Sequence, residues 1–174
     1  MLLELHDTSS GFWYLCAMVS RWLDPLEERA WRSYRRMFTL LEGRLAAELS
    51  ERTGLSMADY TVLSNLVEAA DRRWRITELA EHMQWSQSRL SHQIRRMENR
   101  DLVKREEVAE DGRGAAITLT NQGAQVIAQA APLHFAGVRA HMIDVLTEHQ
   151  LAALGDIADA VVAHLQDASE RGDE

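Results

Sequence analysis

Residues 76–120 read ITELAEHMQWSQSRLSHQIRRMENRDLVKREEVAEDGRGAAITLT. Thr77 is placed to cap a brief helix, Thr77 to Met83, with Leu79, Ala80 and Met83 turned inward. Gln84-Trp85 forms a tight turn. Ser86 then caps a second helix running to about Arg100, whose apolar side is Leu90, Ile94 and Met97. Two short helices joined by a few residues describe a helix-turn-helix. Leu102 to Val108 and Ala115 to Leu119 read as strands, and the glycine-containing tip between them makes a β-hairpin. A helix-turn-helix followed by a hairpin is a winged helix.

Long helices flank this unit. Asp24-Pro25 opens the first, since Asp is a good N-cap and Pro suits the first helical position. Its apolar stripe is Leu26, Ala30, Tyr34, Met37, Leu41, Leu45 and Leu49, and Thr53-Gly54 ends it. Ser56 caps the next, which carries Tyr60, Leu63, Leu66 and Val67 and stops near Ala70-Asp71. A short extended piece follows at Arg72 to Ile76. Thr120 caps a long helix toward Leu146 with Pro132 as a kink, and Thr147 caps the last, with Leu151, Leu154, Ala158, Val161 and Leu165 along one side. The fold class is therefore mainly α with a small β-hairpin: a winged helix-turn-helix over 55–120 flanked by long helices at 24–54 and 121–168. Residues 1–23 form an N-terminal extension and 169–174 a polar, fraying tail.

Of the 174 residues, 46% are hydrophobic, 26% are charged and only two are proline, which permits a real core and long helices. The single cysteine, Cys16, excludes an intrachain disulfide and any Cys-rich metal site, and suits the cytoplasm. The start has no Lys or Arg before Arg21 and only a short apolar run, so it is neither a convincing signal peptide nor a membrane span. Met18 offers an alternative start, which would make 1–17 an upstream extension. The net charge of −8 is unevenly spread. Residues 72–113 hold ten basic and eight acidic side chains, a balance of +2, leaving −10 for the rest. An acidic frame around a locally basic middle is compatible with a DNA-binding module.

The second helix of the pair offers Gln87, Ser88, Ser91, His92 and Arg95 opposite its apolar side, with Arg89 and Arg96 at the margins. No carboxylate precedes Glu98 in it. Its N-terminus, at Ser86, has free N–H groups and a positive dipole end. Small serines let a helix sink into a major groove, where Gln, Ser and Arg can hydrogen-bond base edges. Arg95, Arg96 and Arg100 are better placed for phosphates. The competing reading is a solvated amphipathic helix. At the hairpin tip, Arg113 can enter the minor groove, whose negative potential attracts arginine. Gly112 and Gly114 let the backbone bend, and Asp111 can orient the guanidinium. An ordinary charged turn is the alternative.

The element order, together with EDGRGAAITLTNQG at 110–123, resembles the MarR family of bacterial transcriptional regulators. Its Asp-x-Arg wing motif, followed by a strand and Leu-Thr-x-x-Gly, is matched by Asp111, Arg113, Gly114, Leu119, Thr120 and Gly123. The resemblance covers about Pro25 to Leu165. It implies a homodimer interlocked through the first and last helices, binding double-stranded DNA as a palindromic operator with half-sites roughly 34 Å apart. It also implies a repressor released by a small, aromatic effector. Trp31, Tyr34 and Tyr60 are candidates to line such an effector pocket, although aromatics at helical spacing more often simply pack.

Seven histidines invite a metal reading, with His134 and His141 seven apart on one helix, yet no usual zinc spacing occurs. There is no phosphate-binding glycine loop, nucleophile elbow or paired acid/base arrangement, so no enzyme, cofactor or metal is inferred. The alternative to an operator-binding regulator is a winged-helix module that works through a protein partner, with DNA contact secondary.

Overall fold

The computed structural model describes residues 22–107 and 115–172, with side chains over 22–106 and 115–168. The expectations for residues 1–21 of the N-terminal extension, with Cys16 and Met18, and for the wing tip with Asp111 and Arg113 lie outside the described residues. By internal contact the chain falls into two units, Met1–Leu40 and Leu41–Glu174.

Helix α1 spans Pro25–Thr53. Asp24 caps it through Oδ1, which accepts from the N–H of Leu26 and Glu27 at 2.8 and 2.9 Å. Glu27 returns the contact by accepting from Asp24 N at 2.8 Å. This reciprocal pair closes a capping box. Gly54, at φ 69°, takes the left-handed turn that ends the helix. The expected apolar stripe is solvent-exposed through its first half: Leu26, Tyr34 and Met37 are 74%, 51% and 43% exposed. Only Leu49 is buried.

In the unit from residue 41, α2 runs Met57–Glu68, capped by Ser56 in a capping box with Asp59. Tyr60, Leu63 and Leu66 are buried as the spacing predicts, but Val67 points to solvent at 45% exposure. Strand β1, Arg73–Arg75, leads straight into α3, Ile76–His82. Thr77 is therefore not the cap. Arg75 holds that position with no side-chain capping hydrogen bond, because its backbone is already fixed by strand pairing to Ala116. Gln84, at φ 53°, makes the turn, with Gln84 N bonding Glu81 O and Trp85 N bonding Ala80 O at 3.0 and 2.8 Å. That doubled bond is a Schellman ending. Ser86 accepts from Arg89 N and opens α4, Gln87–Glu98, which ends slightly before the expected Arg100.

Strands β2, Val103–Glu107, and β3, Ala115–Leu119, pair antiparallel, with Val103 opposite Leu119 and Glu107 opposite Ala115. The sequence suggested a two-stranded hairpin. β1 adds to its free edge, giving the order β1-β3-β2. Thr120 caps α5, Asn121–His141, accepting from Gly123 N at 2.9 Å while its hydroxyl donates to Asp101 O at 2.5 Å. α5 runs through Pro132 and stops at His141, short of Leu146, because Met142 leaves the helical region and Ile143–Val145 form a 3-10 turn. Thr147 caps α6, Glu148–Gly172, accepting from Gln150 N at 3.3 Å. The helix includes residues 169–172, so the polar tail begins as helix.

The core of this unit joins Leu49, Leu55, Leu63, Leu66, Leu79, Leu90, Ile94, Met97, Val103, Ile117 and Ile127. Each fully buried side chain of this size contributes about 2 kcal/mol, against about 1 kcal/mol for a cap. Apolar spacing thus dominates the fold, and caps set its boundaries. Among the described residues, no helix is long and apolar enough to cross a membrane.

Candidate nucleic-acid interface

Helix α4 buries Leu90, Ile94 and Met97 completely and so fixes which side faces out. Ser86, Gln87, Ser88, Arg89, His92, Arg95 and Arg96 are exposed, and Ser91 is half-buried. The structure thus brings all of the sequence-predicted helix residues to one outward surface, Ser91 at its edge. Its first turn carries no acidic residue. Glu98, the first carboxylate, is turned to Arg105 at 4.0 Å, and it accepts from Arg105 N at 3.2 Å. Its charge is spent against the wing rather than left on the outer face.

Two arginines of α4 are already held. The Arg89 guanidinium lies 3.9 Å above the Trp85 ring, a cation–π contact that restricts a long side chain. Arg96 donates from Nη2 to Gln93 Oε1. Arg100 departs from its expected role at phosphates: Nη1 pairs with Asp59 Oδ2 at 2.9 Å and Nη2 donates to Gly54 O at 3.1 Å. A buried carboxylate outcompetes solvent for the guanidinium. Sequence reading also missed Gln93, which is 2% exposed. Its position three residues after Leu90, beside Ile94, was the available signal.

The wing base is anchored on the same framework. Arg105 lies opposite Ile117 and Lys104 opposite Thr118 in the ladder. Lys104 Nζ sits 3.5 Å from Glu106 Oε1.

Trp31 and Tyr34 belong to the first unit, where their rings stack with centroids 5.8 Å apart at about half exposure. Tyr60 belongs to the second, 8% exposed, with its ring 4.4 Å from that of His134. Burial, aided by the negative charge of Glu68, pushes the Tyr60 phenol up. His134 Nδ1 is buried without a hydrogen-bond partner. His141 is instead paired, its Nε2 2.9 Å from Glu48 Oε1. That bond is the main reason the Glu48 carboxyl lies below its usual range. Among the described residues, no group of three or more His, Cys, Asp or Glu is arranged to hold a metal ion.

The model of the MarR family matches residues 53–114. No curated protein matches the chain by sequence. Among solved structures, AbsC, a MarR family transcriptional regulator from Streptomyces coelicolor, is 40% identical, covers 85% of this chain and 99% of its own, and superposes with a TM-score of 0.79. Sco3205, a MarR family transcriptional regulator from the same organism solved in complex with DNA, is 39% identical over 85% of this chain and 92% of its own, with a TM-score of 0.80. A mutant of MarR from E. coli, complexed with operator DNA, shares the fold at 22% identity, covering 80% of this chain and 99% of its own with a TM-score of 0.69.

Proposed function

The chain belongs to the MarR family of transcriptional regulators, and we propose that it is a homodimeric, cytoplasmic repressor that binds a palindromic operator and leaves it when a small aromatic effector binds. The observation that carries DNA binding is the outer face of α4. Seven exposed side chains, Ser86, Gln87, Ser88, Arg89, His92, Arg95 and Arg96, offer donors and positive charge with no carboxylate before Glu98. Phosphates demand that absence, and base edges use those side chains. The DNA complex of the 39%-identical relative supports the same reading.

In this reading residues 55–120 bind DNA and the helices at 24–54 and 121–168 make the dimer. Support comes from apolar side chains exposed in each unit: Leu26, Trp31, Phe38 and Leu40 in the first, Ile157, Val161, Val162 and Leu165 in the second. Exposed apolar surface of this kind marks contact with another chain. The effector reading is supported by aromatic faces at Trp31 and Tyr34 and by Tyr60 beside an unsatisfied histidine nitrogen.

A gel-shift series on DNA from the protein's own promoter region, at rising salt, tests the central reading. Preferential binding to one segment, with log affinity falling by about 0.9 per log salt for each phosphate neutralised, is the expected result. Equal binding to every fragment, or none, would overturn it. Light scattering of the purified protein should give a dimer mass.

A further inference from the structure

Asp59 sits in the first turn of α2 and is 3% exposed. Its Oδ2 accepts from Ser56 N at 2.9 Å, from Ser56 Oγ at 2.8 Å and from Arg100 Nη1 at 2.9 Å. Its Oδ1 accepts from Gln93 Nε2 at 2.6 Å. Four donors thus hold the carboxylate, which has about four lone-pair directions to offer. Gln93 is itself buried in the middle of α4. The orientation of its amide is forced, because a carboxylate only accepts and a guanidinium only donates. Nε2 must face Asp59, and Oε1 must face Arg96, which donates to it. A chain of hydrogen bonds therefore runs from a buried charge to an exposed guanidinium on the outer side of α4.

We propose that Asp59 and Gln93 are positioning residues for DNA contact: the buried carboxylate fixes Gln93, and the Gln93 carbonyl holds the Arg96 guanidinium in place before the duplex arrives. The inference rests on the reading of α4 as the DNA-facing helix. An unheld arginine loses rotamer freedom on meeting a phosphate. Arg96 has already surrendered part of that freedom to Gln93. Arg100 ties the same node to the carbonyl of Gly54 at the end of α1, so the seat is braced from two helices. A purely structural role would be different in kind, since Asp59 and Gln93 would then affect binding only through stability.

A double-mutant cycle separates the two. The probe is a duplex selected by the parent protein from a random pool, and the readout is its affinity for the parent, Gln93→Met, Arg96→Ala and the double variant. The expected result is about a fivefold loss for Gln93→Met in the parent background and little further loss once Arg96 is alanine. An equal loss in both backgrounds overturns the inference. An Arg96→Ala variant that binds as the parent does also overturns it, while leaving DNA binding by α4 intact. A parent that selects and binds no duplex overturns the functional reading and this inference with it. One measurement needs no buried substitution: nitrogen-detected NMR of the free parent, with Arg96→Ala for assignment. Slowed rotation of the Arg96 Nη groups is expected, and free rotation would overturn the inference even if Gln93→Met fails to fold.

Discussion

The imidazole of His134 packs on the ring of Tyr60 with centroids 4.4 Å apart, yet its buried Nδ1 has no hydrogen-bond partner. Burial pushes the His134 pKa below its ordinary 6.5. The unfolded chain therefore takes up a proton at higher pH than the folded one. Stability is complete above about pH 6.5 and falls as the pH drops through that value toward the folded pKa. His134→Phe keeps ring packing and removes both the unsatisfied atom and the proton. The variant should gain about 1 kcal/mol near neutral pH and lose less stability on acidification. Urea midpoints for parent and variant, measured from neutral to mildly acid pH, check this. Parallel pH profiles would refute the assignment to His134.

Gly123 is the second test. A Cβ there would stand 2.0 Å from the Leu102 carbonyl oxygen and 2.9 Å from Leu119 Cδ1. The carbonyl has little freedom to retreat, since it accepts from Thr120 N at 3.3 Å. Gly123→Ala should cost about 3 kcal/mol, at the upper end of overpacking effects. A denaturation midpoint equal to the parent's would show that α5 can shift away from the wing without penalty.

At the start of α4, Gln87 and Ser88 are exposed in its first turn. Alanine at either position should reduce discrimination between the operator and unrelated DNA, with little change in affinity for the unrelated DNA. A mismatch at a read base is typically worth about 1–3 kcal/mol. Competition binding with both DNAs decides it. Equal losses on all sequences would assign these residues to backbone contact instead.

Arg113, assigned to the hairpin tip by the sequence, lies outside the described residues, and its role rests on the sequence. Arg113→Ala should weaken operator binding by about tenfold and reduce the salt slope by about one. The melting temperature should be unchanged. Undiminished operator affinity would remove the wing from the recognition scheme.

Local chemistry was legible without coordinates. Asp24, Ser56, Ser86, Thr120 and Thr147 each sit before a helix and hydrogen-bond within the next three residues. Gly54 ends α1, and Leu90, Ile94 and Met97 define the buried side of α4. Such features depend on neighbours within a turn, so spacing alone reveals them, and the outer face of α4 follows by subtraction. What spacing could not reveal was decided by partners distant in the chain. Arg100 reads as one more phosphate-facing cation, yet a carboxylate 41 residues earlier claims it. Val67 continues an apolar pattern but faces solvent, and β1 finds its edge only once β3 exists. Thr77 loses the cap of α3 because pairing to Ala116 fixes Arg75 first. In each case the three-dimensional packing selects among competing partners for the same donor, acceptor or apolar face, and the chain order carries no record of that competition.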